Sequence, residues 1–155
     1  MPMRILQNLL ANRNLLIKRM SSSKKIPNRN ILIIDDEPDV CDLLRIYLES
    51  QNWQVTTIDS PTSALELLEI QPFFLVMTDI AMPEMDGYEF INKMHKKGIP
   101  SQIALMTGFG YNPKHTLVKI NRKYKYPIFF KPFEFKKPKL KDTVQKAWDT
   151  YHKGL

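Results

Sequence analysis

Five short apolar runs constrain the fold of this chain more than any other feature: ILII (31–34), WQVTTI (53–58), FFLVMT (73–78), QIALMT (102–107) and YPIFF (126–130). ILII and FFLVMT show little polar alternation, as expected of strands buried on both faces. Between the runs, apolar residues return at helical spacing. Pro38 suits a first helical turn, and the pattern continues to Leu48; Ser60-Pro61 reads as a cap with proline at the first turn, leading into ALELLEI. Asp86-Gly87 precedes a helix through about Lys96, a short helix is expected after Pro113, and a last one spans about Lys139 to Tyr151. Strands alternating with helices pair in parallel through right-handed crossovers, with helices on both faces of the sheet. A doubly wound (βα)5 α/β domain over residues 30–153 is therefore predicted, preceded by a basic extension over residues 1–29.

A chain of 155 residues with 43% apolar content is long enough for one ordinary core. No apolar run approaches the roughly 20 residues a membrane helix needs, and Asn12, Arg13 and Asn14 interrupt any secretory signal at the start. The single Cys41 has no internal disulfide partner and falls on the apolar stripe of the first core helix, which points to a buried thiol in a reducing compartment. A soluble cytoplasmic protein is expected.

In a doubly wound sheet, functional groups collect outside the carboxyl ends of the strands. Here the first run ends in Asp35-Asp36-Glu37, the third in Asp79, the fourth in Thr107-Gly108 and the fifth in Lys131-Pro132. With strand order 2-1-3-4-5, Asp36 and Asp79 would lie roughly 5 Å apart on adjacent strands, and Lys131 would start about 10 Å from Asp79, within reach of its long side chain. Carboxylates so close repel one another unless a cation sits among them, and a hard divalent ion such as Mg²⁺ takes oxygen ligands of this kind. The chemistry suited to these groups is phosphoryl transfer to a carboxylate. Asp79 is the candidate nucleophile, Asp35 and Asp36 hold the metal, Thr107 donates a hydrogen bond and Lys131 forms an ion pair.

The motifs IIDDEPDV, MTDIAMPEMDGYEF, ALMTG and FFKPF stand in the order and at the spacing of a known family, and over about residues 29–153 the chain resembles the receiver domain of two-component response regulators. The resemblance implies a flavodoxin-like sheet in which Asp79 accepts phosphate from a histidine kinase or histidine phosphotransfer protein. It also implies that Asp36 binds Mg²⁺ directly, that Asp35 acts mainly through a metal-bound water, and that the backbone carbonyl of Ala81 completes the protein ligands. A cis peptide at Lys131-Pro132 is implied as well. Met82-Pro83 would stiffen the loop after Asp79, and Gly87 would supply backbone freedom before the next helix.

Some positions depart from the family pattern. The switch position three residues before the lysine is commonly aromatic, and here it is Ile128. Phe129 and Phe130 are adjacent but point to opposite faces of a strand, so neither simply substitutes. The expectation is that phosphorylation draws Thr107 inward and the signal spreads by repacking of the helix after the fourth strand. Ala81 and Phe109 flank the site, and the resemblance implies that these positions tune the lifetime of the phosphoryl group.

Charge is segregated along the chain. Residues 1–30, 31–90 and 91–155 carry net charges of +7, −12 and +12, within a total of +7. The basic second half supplies the last helices and strand, a face through which receivers commonly signal, and it suits an acidic protein partner or weak homodimerisation. The alternative is a solvated lysine-rich face. No helix-turn-helix or other DNA-binding reader follows the domain. For the leader, three readings stand: a start at Met20, a disordered tail, or a modest basic amphipathic helix whose apolar stripe breaks at Arg13.

The expected protein is a stand-alone receiver with no enzymatic activity beyond Mg²⁺-dependent self-phosphorylation and autodephosphorylation. An aspartate-dependent phosphatase of the haloacid dehalogenase kind would need an acid two residues after its nucleophile, where Ala81 stands. A scaffold that never takes phosphate is the other alternative, against which the intact set of Asp35, Asp36, Asp79, Thr107 and Lys131 argues.

Overall fold

The computed structural model describes residues 3–21, 27–108, 120, 122–135 and 139–154. Its elements are α1 (Met3–Ser21), β1 (Asn30–Ile34), α2 (Pro38–Glu49), β2 (Gln54–Ile58), α3 (Pro61–Ile70), β3 (Leu75–Asp79), α4 (Gly87–Lys96), β4 (Gln102–Thr107), β5 (Ile128–Phe130) and α5 (Lys139–Lys153). The five strands form one parallel sheet in the order β2-β1-β3-β4-β5. This is the doubly wound architecture read from the apolar runs, with the flavodoxin-like strand order that the resemblance implies. Most of the segment after Pro113 lies outside the described residues, although Ile120, Arg122 and Lys123 are helical. The leader takes the helical one of its expected conformations, with Met3, Ile5, Leu9 and Leu10 exposed.

Alternation along β1 explains the two-sided core. Leu32 and Ile34 pack with Ala64 and Leu65 of α3 and with Phe90, Ile91 and Met94 of α4, whereas Ile31 and Ile33 pack with Leu44 and Leu48 of α2 and with Val144 of α5. A strand buried on both faces must be apolar throughout, and β3 is buried at every position.

Local chemistry sets the helix starts. Ser60 Oγ accepts from the Ser63 N–H at 3.2 Å and is followed by Pro61 at the first turn. Asp86 Oδ1 accepts from the Glu89 N–H at 2.8 Å, a cap worth about 1 kcal/mol. Gly87 is present for close packing rather than for the backbone freedom expected of it. A Cβ there would lie 2.9 Å from Cα of Ile80, and among the described residues it is Gly98, not Gly87, that has a positive φ. The loop between β3 and α4 is pinned by burial of Met82 and Met85 as well as by Pro83. At the amino end of the sheet, Trp148 Nε1 donates to the Asn28 carbonyl at 3.0 Å and the Arg29 guanidinium lies 4.1 Å from the Trp53 ring, fixing the entry into β1.

Candidate functional site

The register of the sheet brings the strand-end acids together. Ile34 of β1 is opposite Thr78 of β3, so the residues that follow, Asp35 and Asp79, emerge side by side. Both are buried, at 1% and 5% exposure, and Thr107 at the end of β4 is fully buried. Lys131 follows β5. Its backbone N–H donates to the Thr107 carbonyl at 2.8 Å, and its side chain crosses the end of β4. The peptide bond between Lys131 and Pro132 is cis.

The Lys131 ammonium is the hub of the site. Its Nζ lies 2.7 Å from Oδ2 of Asp35, 2.9 Å from Oε1 of Glu37 and 3.0 Å from Oδ2 of Asp79. The two buried aspartates are held in the same manner. Oδ1 of Asp35 accepts from the Glu37 N–H at 2.9 Å, and Oδ1 of Asp79 accepts from the Ala81 N–H at 3.1 Å. Each carboxylate therefore has one oxygen on a backbone donor two residues ahead; the other takes a hydrogen bond from Lys131 in Asp79 and lies in ion-pair contact with it in Asp35.

Burial raises the pKa of Asp35, an effect that hydrogen bonds from Lys131 and the Glu37 N–H oppose and the neighbouring Asp79 charge reinforces. Burial works against the charge on Lys131, but hydrogen bonds to Asp35, Glu37 and Asp79 outweigh it and raise the lysine pKa. The ammonium is thus a fixed positive charge at neutral pH. Close by, the Cys41 thiol approaches the Asp35 carbonyl at 3.5 Å, and burial, followed by the Asp35 charge, pushes its pKa up to about 11. It is a packing thiol.

Asp36 is exposed beside this hub, and one oxygen from each of Asp35, Asp36, Glu37 and Asp79 falls within 4.8 Å of the others. An all-carboxylate set of this kind suits a hard divalent cation. Asp35, Asp36 and Asp42, with Thr57 and Asp59, also line an acidic cleft beside the cluster. Ala81 is half-buried and already engaged with Asp79 through its N–H, while Phe109 lies outside the described residues.

Ile128 is half-buried and packs on the α3/α4 side of the sheet with Tyr124 and Tyr126. Phe129 is buried on the opposite side with α5, and Phe130 is 55% exposed. The two tyrosines before Ile128 stack toward α4: Tyr126 on Tyr124 at 5.2 Å, and Tyr124 on His95 of α4 at 4.8 Å. His95 Nε2 and the Tyr126 hydroxyl are 2.7 Å apart.

Glu37 is the member of the hub that sequence reasoning gave no role. The signal was present as the third acid of the Asp35-Asp36-Glu37 run, but a glutamate at the start of a helix ordinarily reads as a cap or a solvated residue.

A parallel five-stranded sheet with paired acids after its first strand, an aspartate ending its third and a lysine after its fifth defines a receiver. The chain belongs to the response regulator receiver domain family, whose model matches residues 31–145. Among curated relatives, the response regulator receiver protein CpdR of Brucella abortus (strain 2308) is 38% identical over 81 residues, covering 52% of this chain and 68% of that one. An uncharacterised 14.6 kDa protein in the sodA1 3′ region of Leptolyngbya boryana is 45% identical over 67 residues, which is 43% of this chain and 51% of that protein. The chain thus spans about half the length of the latter relative. Among solved structures, the beryllofluoride-activated NtrC4 receiver domain dimer superposes with a TM-score of 0.70 at 26% identity, covering 79% of this chain and 98% of that one. The signal receiver domain of an HD domain-containing protein from Pseudomonas fluorescens Pf-5 shares the fold, with a TM-score of 0.72 at 22% identity over 85% of this chain and 95% of that one. Among the described residues, no helix is long and apolar enough to cross a membrane.

Proposed function

We propose that this receiver accepts a phosphoryl group on Asp79 from a histidine kinase or histidine phosphotransfer protein and passes the signal on by protein contact. The observation that carries this reading is the Lys131 ammonium held 3.0 Å from Oδ2 of Asp79, a buried carboxylate at the mouth of a strand. A phosphoryl group arriving there brings negative charge on three outer oxygens, and a preorganised ammonium offsets it without reorganisation of solvent.

In the transfer, an oxygen of Asp79 forms a bond to phosphorus while the donor's nitrogen–phosphorus bond breaks, and the nitrogen keeps the electron pair. Asp79 remains oriented through the Ala81 N–H. Lys131 moves from bridging carboxylates to bridging the acyl phosphate, and Thr107, buried at the end of β4, supplies a hydroxyl toward the same group. Asp35, Asp36 and Asp79, with the Ala81 carbonyl, would hold Mg²⁺, with Asp35 acting mainly through water. When bound, the ion would supply positive charge to offset the negative charge on the phosphoryl oxygens and the acceptor carboxylate.

For the output, the exposed basic residues Arg122, Lys123 and Lys125 before β5 and Lys139, Lys141 and Lys146 of α5 suit an acidic protein partner or weak self-association. The NtrC4 receiver, similar in fold, is a dimer in its beryllofluoride-activated form. With an aliphatic residue at Ile128, movement of Thr107 is read out by repacking on the Tyr124 and Tyr126 side.

Intact-mass spectrometry after incubation with phosphoramidate, with and without Mg²⁺, tests the reading on wild type and Asp79→Asn. A metal-dependent phosphoryl adduct present in wild type and absent from Asp79→Asn is expected. No adduct under any condition would favour a receiver-like scaffold that does not take phosphate.

A further inference from the structure

We infer that Glu37 is a displaceable lock on Lys131, a positioning residue that holds the empty pocket closed against the phosphoryl group; this rests on the reading of Asp79 as the acceptor. An ammonium has three donor hydrogens. Lys131 donates to Glu37 at 2.9 Å and to Asp79 at 3.0 Å, and its ammonium lies in ion-pair contact with Asp35 at 2.7 Å. A phosphoryl oxygen that draws this ammonium toward itself competes with the carboxylates already on it, and the most weakly held of them gives way first.

The three partners are unequal. The Asp35 and Asp79 side chains are 0% and 7% exposed, and each is held by a backbone N–H through its other oxygen. Glu37 is 61% exposed at its side chain, so water replaces the lysine at little cost when that contact opens. The placement of Glu37 is also informative. It is the N-cap residue of α2, and its side chain makes no cap hydrogen bond there. It reaches instead across 94 positions of sequence to Lys131. Its carboxylate is directed at the pocket and not at the helix end.

Phosphorylation then involves an exchange of partners. As the Asp79 oxygen bonds to phosphorus and the donor nitrogen departs with its electron pair, Lys131 exchanges Glu37 for a phosphoryl oxygen. Glu37 stabilises the unphosphorylated pocket but has no favourable contact with the incoming anion, whose charge it repels. Its contact is therefore lost on the way to the transition state, and removing it lowers the barrier.

The test uses the full chain as wild type, Glu37→Gln, Glu37→Asp and Asp39→Asn, the last removing an exposed charge two residues away as an electrostatic control. Each is incubated with phosphoramidate at saturating Mg²⁺ and followed by intact mass, while the side-chain ammonium of Lys131 is monitored by nitrogen NMR without donor. Glu37→Gln should phosphorylate about two- to fivefold faster, the range set by a single partly exposed ion pair. Glu37→Asp should fall nearer wild type and Asp39→Asn should match it. The Lys131 ammonium should exchange with water faster in Glu37→Gln than in wild type. An unchanged or slower rate in Glu37→Gln overturns the inference while leaving the acceptor reading intact. An equal acceleration in Asp39→Asn overturns it in favour of simple charge repulsion. A rise of more than fivefold in the Mg²⁺ concentration giving half the maximal rate overturns it in favour of Glu37 as a metal ligand. If no variant, wild type included, forms an adduct lost in Asp79→Asn, the acceptor reading itself fails and the inference falls with it.

Discussion

Lys131 Nζ lies 3.0 Å from Oδ2 of Asp79 although the two residues follow strands separated by β4. The lysine also holds Asp35, whose side chain is completely buried. Replacing it with a residue of similar length and no charge, Lys131→Met, strands two buried carboxylates without a counter-charge. Urea denaturation at pH 7 should show a loss of roughly 2–4 kcal/mol, with Lys131→Arg losing less. Millimolar Mg²⁺ should return part of the loss, because a cation among the carboxylates replaces the missing ammonium. A change below 0.5 kcal/mol would mean that solvent already screens the pair.

Asp35 is a cost to stability that the site retains. Its pKa is raised, chiefly by burial, so its protonated form is favoured on folding. The stability linked to this group is fully present below its unfolded pKa and is lost as pH rises through the higher folded value. At neutral pH, Asp35→Asn should therefore stabilise the fold by roughly 0.5–2 kcal/mol, since Oδ1 of asparagine can still accept from the Glu37 N–H. The gain should shrink as pH falls toward 3.8, the ordinary value for an aspartate. A denaturation series from pH 3 to pH 8 on both proteins measures it; a gain independent of pH would assign the effect to packing.

Gly87→Ala tests the close approach of α4 to the end of β3. The added methyl would meet backbone, Cα of Ile80 at 2.9 Å, and its side chain at 3.1 Å, so no rotamer change relieves the clash. An unfolding free energy lower by roughly 1–3 kcal/mol is expected. Equal stability would show that the loop carrying Met82 and Met85 moves freely with the helix.

Cys41 should resist thiol reagents in the native state. With its pKa pushed up to about 11, the thiolate fraction at pH 8 is about 100-fold below that of an unperturbed thiol. Modification by a disulfide reagent should be at least that much slower than in denaturant. Rapid native-state labelling would indicate that α2 opens readily beside the site.

The aromatic residues around Ile128 predict how activation spreads. Phe129 packs on the far face and Phe130 faces outward, leaving the Tyr126–Tyr124–His95 stack on the Ile128 side. Aromatic NMR of free and beryllofluoride-bound protein should show shifts in the Tyr124 and Tyr126 rings without any ring moving against the Thr107 methyl group. A new ring contact with Thr107 would reject repacking in favour of an aromatic flip.

The sequence by itself determined the class of fold and the poles of the molecule. Apolar runs such as ILII and QIALMT can be buried only as central strands, Ser60 and Asp86 carry their own helix-starting hydrogen bonds, and a parallel sheet must collect Asp35, Asp79, Thr107 and Lys131 at one end. Those are local or topological consequences, and pattern suffices to read them. Tertiary structure alone decided which groups touch. That Lys131 is shared by Asp35, Glu37 and Asp79 depends on rotamers chosen in competition among several acids on different strands. That Gly87 is needed for its lack of a Cβ, and not for its backbone freedom, depends on how near Ile80 comes. That Glu37 joins the pocket depends on where a side chain 94 positions away arrives. Distances of this kind are set by packing of the whole domain, and no single segment encodes them.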